Sequence, residues 1–196
     1  MPLYLNVNRF LPITEVEGPG FRSCVWFQGC HIRCNGCFAY ELWESKEKLL
    51  YTPNELISKV PPHAEGITVL GGEPFEQERG LMMLLELARE KGLSTIVFTG
   101  YTIDFLKAKA SKYVPLILSN IDVLIDGPFI ESLRSYDTPL IGSSNQRFHF
   151  FTNRYSMSDF EKNKYEIRIS KEGTLSINGM GNTDLIYTIH NVSKNN

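Results

Sequence analysis

Cys30, Cys34 and Cys37 lie together in the run Gly29-Cys30-His31-Ile32-Arg33-Cys34-Asn35-Gly36-Cys37-Phe38. The run directly follows Arg22 to Gln28, which reads as a buried strand because Val25, Trp26 and Phe27 are strong strand formers. Core packing is a poor reason to place three thiols in one short loop. Ligation of a single inorganic centre is a good one, and a fold that uses it must bring its other functional residues to the same place.

A structural zinc site normally takes four ligands, in two pairs separated along the chain. Here one trio stands alone, and the fourth cysteine of the chain is Cys24. If Cys24 is in the strand, six residues before Cys30, it lies roughly 20 Å away at about 3.3 Å per residue. Cys24 therefore reads as a small buried hydrophobe, and His31, directly next to Cys30, as a loop residue near the site. Three thiolates suit a [4Fe-4S] cluster with one iron left open to exchangeable nitrogen and oxygen donors. Zinc remains the alternative on these residues alone.

Composition limits the setting. At 196 residues the chain fits one domain with a small appendage and can bury a substantial core. A net charge of -2 without a basic run gives no reason to expect nucleic acid. There is no apolar run of the ~18 residues that a membrane span needs, and the N-terminus has no secretory pattern. The expected compartment is the cytoplasm, where thiols stay reduced and clustered cysteines favour metal over disulfides.

Read in order, Leu3 to Phe10 forms a first strand or edge hairpin and Glu17-Gly18-Pro19-Gly20-Phe21-Arg22 a turn-rich connection. After the cysteine loop, Tyr40 to Glu44 is amphipathic and shields it. Thr52-Pro53-Asn54-Glu55 opens a helix that Pro61-Pro62 stops after Val60. Gly66 to Leu70 is a strand ending in Gly71-Gly72-Glu73-Pro74. A helix over Gln77 to Lys91 then puts Leu81, Leu84, Leu85 and Ala88 on one face. Ser94 to Phe98 is a strand ended by Thr99-Gly100. Thr102 caps a helix with Phe105 and Leu106 inside, and Ile121 to Ile125 is a strand ended by Asp126-Gly127. Gly142 to Arg147 reads as a polar loop outside the core. Tyr165 to Ile169 and Thr174 to Ile177 form a hairpin, and Asn182 to Asn196 a thin, frayed tail. Repeated strand–loop–helix units predict an α/β fold with a parallel sheet, whose ligand edge lies at the strand C-termini. Every conspicuous residue falls at that edge.

With the CxxxCxxC loop after one strand and Gly71-Gly72-Glu73-Pro74 after the next, the chain resembles the radical S-adenosylmethionine superfamily. Glu17-Gly18-Pro19-Gly20-Phe21-Arg22, Gln28-Gly29-Cys30, Cys34-Asn35-Gly36-Cys37-Phe38, Phe98-Thr99-Gly100-Tyr101-Thr102, Asp122 to Phe129 and Gly142 to Arg147 resemble the activating proteins of anaerobic ribonucleotide reductases. These are glycyl radical enzyme activases. The likeness spans about residues 5 to 150.

The resemblance implies a partial (β/α) barrel over 1–150 and a C-terminal extension with a β-hairpin over 151–196. It implies a radical S-adenosylmethionine oxidoreductase in which Cys30, Cys34 and Cys37 hold a [4Fe-4S] cluster. The open iron would bind the amino and carboxylate groups of S-adenosylmethionine, whose reductive cleavage gives methionine and a 5'-deoxyadenosyl radical. Gly71, Gly72, Glu73 and Pro74 would meet the methionine end, with Glu73 accepting from its ammonium. Thr99 and Asp126 would meet the adenosine hydroxyls, and Asn145 and Arg147 the adenosyl group or the partner. Phe38 would lie beside the cofactor, while the aromatic common just before the last cysteine is Gly36 here, as in these activases. Gly18 and Gly20 would line the cluster mouth. The implied partners are a glycyl radical enzyme and a flavodoxin- or ferredoxin-type electron donor. Two alternatives stay open: a small-molecule or peptide substrate, as in deazapurine synthases, and a non-enzymatic iron–sulfur electron-transfer module.

Overall fold

The computed structural model describes residues 3–180. A seven-stranded sheet organises it, in the order β3-β1-β2-β4-β5-β6-β7. Its centre is parallel: β2 (Arg22–Phe27), β4 (Gly66–Gly71), β5 (Ser94–Phe98) and β6 (Val123–Asp126). β1 (Leu5–Thr14) and β3 (Leu49–Tyr51) extend one side antiparallel, and β7 (Arg147–Phe150) closes the other. The fold is thus mixed α/β with a mostly parallel central sheet.

The helices α1 (Pro53–Ser58), α2 (Glu78–Glu90), α3 (Ile103–Ala108) and α4 (Val114–Ser119) join these strands. They pack on one sheet face, where Val25, Phe27, Ile67, Val69, Val97 and Leu124 meet Leu56, Leu81, Leu84, Leu85, Leu106 and Ile117 in one core. Because side chains alternate along a strand, the neighbouring residues face the other way. There Ile96, Val123 and Ile125 pack with Leu140, Ile141 and Phe160 in a second, smaller core. Thr52 caps α1 through the expected capping box, accepting from Glu55 N while the Glu55 carboxylate accepts from Thr52 N.

Most predicted elements stand within a residue or two of their expected limits. β1 runs four residues past Phe10, and α1 ends at Ser58 rather than Val60. β6 starts at Val123 because Asp122 is held apart: its carboxylate accepts from Thr95 N at 2.8 Å and from the Thr152 hydroxyl at 2.7 Å. Phe105 does not face inward. α3 turns Ile103 and Leu106 to the core and leaves Phe105 half exposed, stacked on Tyr101 at 4.7 Å. The Gly142–Arg147 loop is likewise closer to the core than expected, since Ser143 is fully buried and its hydroxyl accepts from Ile130 N at 3.2 Å. β3, α4 and β7 were not foreseen. The hairpin forms as β8 (Tyr165–Ile169) and β9 (Leu175–Gly179), paired antiparallel. The tail expected over Asn182 to Asn196 lies outside the described residues. No helix among the described residues is long and apolar enough to cross a membrane.

Candidate functional site

Parallel registration brings Phe27 beside Gly71 and Phe98 beside Ile125, so the ends of β2, β4, β5 and β6 share one edge. At that edge a cavity of about 300 Å³ opens on the face opposite the helices. Cys30, Cys34 and Cys37 line it, together with Gly71, Gly72, Glu73, Thr99 and Phe38. Its floor is apolar: Trp26, Leu70 and Phe98 come from the strand faces turned away from the helices. The cysteine loop and the glycine turn therefore form two sides of one site.

The glycines are required by geometry. Gly71 has φ +107°, and a Cβ there would stand 2.6 Å from Phe27 N. A Cβ on Gly72 would stand 2.1 Å from the Gly29 carbonyl oxygen, immediately before Cys30. The same contact is cemented by hydrogen bonds from Gly72 N to Phe27 O and from Glu73 N to Gly29 O, both 2.8 Å. Only a bare backbone lets the two loops lie this close.

Glu73 is buried under the site and ties three strand ends together. Its Oε1 accepts from Phe75 N and from the Thr99 hydroxyl at 2.9 Å each, and its Oε2 accepts from Gly100 N at 2.8 Å. Burial pushes its carboxyl up to about 7, against the pull of these donors. Oε2 retains acceptor capacity for a cation entering the cavity. The cysteine loop has a second anchor, the Glu76 carboxylate, which accepts from His31 N at 2.8 Å and lies 2.7 Å from His31 Nδ1.

The three cysteines are free thiols, each partly buried. Burial pushes the Cys30 and Cys34 thiols up, a cost that coordination to iron would reverse. Among the described residues no three His, Cys, Asp or Glu side chains converge on a point suited to one metal ion. A cubane cluster, in contrast, takes each thiolate on a different iron, so its ligands need to surround the cluster rather than meet at a point. A loop of three separated thiols at the mouth of a cavity suits that requirement. Cys24 is apart from them, fully buried in β2 beside Leu11 and Thr68, with its thiol pushed well up by burial.

Other expected site residues stand off the cavity lining. Pro74 is buried in the short turn after Glu73. Asp126 is fully buried: Oδ2 accepts from Ile103 N at 2.6 Å and from Arg147 at 2.9 Å, and His149 Nε2 lies 3.1 Å from Oδ1. Arg147 is thereby turned to Asp126. Asn145 donates to Pro128 O at 2.8 Å, while its Oδ1 is buried without a partner. Gly18 and Gly20 do not reach the mouth. They fold against Arg22, Ile96 and Glu65 and line a separate groove.

Several lining residues were not singled out as site residues: Glu17, Ile32, Trp43, Phe129 and Gln146 lie within stretches already noted, while Tyr165 and Met180 lie in and after the hairpin, to which no site role was given. Gln146 was flanked by two candidates. Its amide accepts from Gly142 N at 2.8 Å and donates to Gly127 O at 3.1 Å, closing the loop onto the end of β6.

Sheet edge, glycine turn and thiol loop together define an α/β protein built around a single iron–sulfur cluster site. A family model described as "4Fe-4S single cluster domain" matches residues 16–149. Among curated proteins, the anaerobic ribonucleoside-triphosphate reductase-activating protein of Salmonella typhimurium is 30% identical over 161 residues, covering 74% of this chain and 98% of that one. The protein of the same name from Escherichia coli K12 is 29% identical over 155 residues, with the same coverage. The pyruvate formate-lyase-activating enzyme of Clostridium pasteurianum is 36% identical over 94 residues, 44% of this chain and 40% of that one. A crystal structure of QueE from Escherichia coli aligns with 50% of this chain and 53% of that one, at 21% identity and a TM-score of 0.43, a likeness too weak to carry an argument. The chain belongs to the 4Fe-4S single cluster domain family, among its radical S-adenosylmethionine activating proteins.

Proposed function

We propose that this chain is a radical S-adenosylmethionine activating enzyme whose target is an anaerobic ribonucleoside-triphosphate reductase, the protein its relatives are named for activating. One observation carries the reading: the three cysteines and Gly71-Gly72-Glu73 line the same cavity. When bound, the [4Fe-4S] cluster and S-adenosylmethionine supply reductive cleavage to methionine and a 5'-deoxyadenosyl radical, which removes hydrogen from a glycine Cα of the partner.

The chain's own residues prepare that chemistry. Cys30, Cys34 and Cys37 would hold the cluster, three thiolates being one ligand short of a full set. Gly71 and Gly72 let the cofactor's methionine end approach the backbone, and Glu73 Oε2 receives its ammonium in a charge-assisted hydrogen bond. Asn145 supports the lining from behind, its amide donating to Pro128 O at 2.8 Å. Asp126 and Arg147 act one step back, fixing α3 and β7 around the end of β6. Trp26, Leu70 and Phe98 keep water from the radical. Helices on one sheet face and the cavity on the other support a partial (β/α) barrel. The demand for low-potential electrons supports a cytoplasmic setting and a flavodoxin- or ferredoxin-type donor.

The test is anaerobic. Reconstituted protein given dithionite and S-adenosylmethionine should release 5'-deoxyadenosine, and adding the reductase should give a glycyl electron-spin signal. Absence of 5'-deoxyadenosine would overturn the reading. Its presence without a glycyl signal would redirect the radical to a small molecule or peptide.

A further inference from the structure

The β8–β9 hairpin lies beyond the stretch 16–149 that the family model matches, yet it reaches the cysteine cavity. Tyr165 opens β8, Gly179 ends β9, and both line the cavity with the next residue, Met180. The hairpin is held there by buried polar contacts. Gly179 N donates to the Glu17 carboxylate at 2.9 Å, and Asn178 donates to the Thr14 hydroxyl at 3.0 Å. The Thr14 hydroxyl donates to Glu166 at 2.6 Å, and Arg168 donates to Ile13 O. Thr14, Glu17 and Asn178 are all buried. Gly179 has φ +98°, and a Cβ there would stand 2.1 Å from Lys164 O. Such a joint has one geometry.

The segment carrying Phe129, Arg134, Tyr136 and Leu140 lines the same cavity and is tied to the start of the hairpin, since Asn163 accepts from Leu140 N and donates to Tyr136 O, both at 2.9 Å. A cavity of about 300 Å³ is at the small end for ligand sites, so a nucleoside-sized cofactor takes up most of it. Little of the cavity is then left beside Tyr165 and Met180, and a loop with glycine at its tip needs the least of it.

We propose that the β8–β9 hairpin is a specificity-determining wall of the site, on which Tyr165 and Met180 position a glycine-containing loop inserted by a partner protein. The inference rests on the activase reading and deepens it: it assigns to the extension the choice of which loop reaches the radical.

Trp26 and Trp43 are the chain's two tryptophans and both line the cavity, so their fluorescence reports its occupancy. The probe is a synthetic peptide carrying the glycine loop of an anaerobic ribonucleoside-triphosphate reductase, titrated into reconstituted protein with S-adenosylmethionine. The wild type should respond saturably. Tyr165→Ala with Met180→Ala should raise the half-saturating concentration about tenfold, the loss expected for buried contact residues. Tyr165→Phe with Met180→Leu should bind within about twofold of wild type, a rescue by retained shape that a folding defect would not give. A second measurement needs no variant: a photo-crosslinker beside the peptide's glycine should label the wild-type protein at Tyr165 or Met180. Equal binding by the alanine variant, no response in the wild type, or labelling only elsewhere would overturn the proposal. Release of 5'-deoxyadenosine, measured separately without peptide, judges the activase reading on its own.

Discussion

The amide of Glu73 donates to the carbonyl of Gly29 at 2.8 Å, joining the turn after β4 to the residue before Cys30. Two motifs more than 40 residues apart are thus one backbone unit, and anything that moves one moves the other.

Gly72→Ala tests that unit. The new Cβ would press on the Gly29 carbonyl, which is backbone and cannot rotate away. A cost of about 1–3 kcal/mol is expected, or a melting point lower by roughly 2–4 °C for each kcal/mol. Iron bound per chain should fall with it, as read by iron analysis after anaerobic reconstitution.

Replacing Cys30, Cys34 or Cys37 by Ala should each abolish the visible absorption of the reconstituted cluster. Cys24→Ala should leave it intact, because Cys24 packs in β2 and takes no part in the loop. Its cost is in stability, roughly 1 kcal/mol for a lost buried group. Cluster loss in the Cys24 variant would overturn the ligand assignment.

Glu76→Ala should loosen the cluster loop without removing a ligand. His31 loses both of its contacts to that carboxylate, one of them from the backbone amide. Release of iron to a chelator should speed up several-fold, in line with the 10–100-fold reach of supporting residues around metal ligands. An unchanged release rate would show that the other loop contacts suffice.

Two buried carboxyls set a pH trend. Burial pushes both Glu17 and Glu73 up to about 7 in the folded chain, from an ordinary 4.5. The folded state then holds more protons than the unfolded one between those values, so stability is greatest at the acid end of that window and falls as pH rises to about 7. Glu17→Gln retains an acceptor for Gly179 N but cannot ionise, so its stability should change less between pH 5 and pH 8 than the wild type's. Denaturant melts of the cluster-free protein at both pH values measure this. The opposite slope would mean that Glu17 is ionised in the fold. Asp126 behaves inversely: against the upward push of burial, hydrogen bonds from Arg147 and Ile103, with His149 close by, hold it below its ordinary value, and its contribution is lost on acidification.

The chain's local patterns made most elements legible. The Thr52 capping box, the Leu81–Ala88 face of α2 and the β-branched run of β5 each carry a short-range signal, and each element stands where its signal placed it. β3, α4 and β7 carry weak signals and exist through their neighbours: β3 and β7 take the sheet edges offered by β1 and β6. Phe105 and Leu106 looked alike in sequence, and packing against the sheet separated them.

The site divides in the same way. From the sequence alone came three thiols held in one loop, a glycine turn at the next strand end and the expectation that both stand at one edge, since spacing and strand order are properties of the chain. Tertiary structure decided the rest, because burial and hydrogen-bond partners are set by residues distant in sequence. It bound Asp126 and Arg147 to each other, folded Gly18 and Gly20 away, and placed Glu17, Gln146 and the far hairpin's Tyr165 and Met180 around the cysteines.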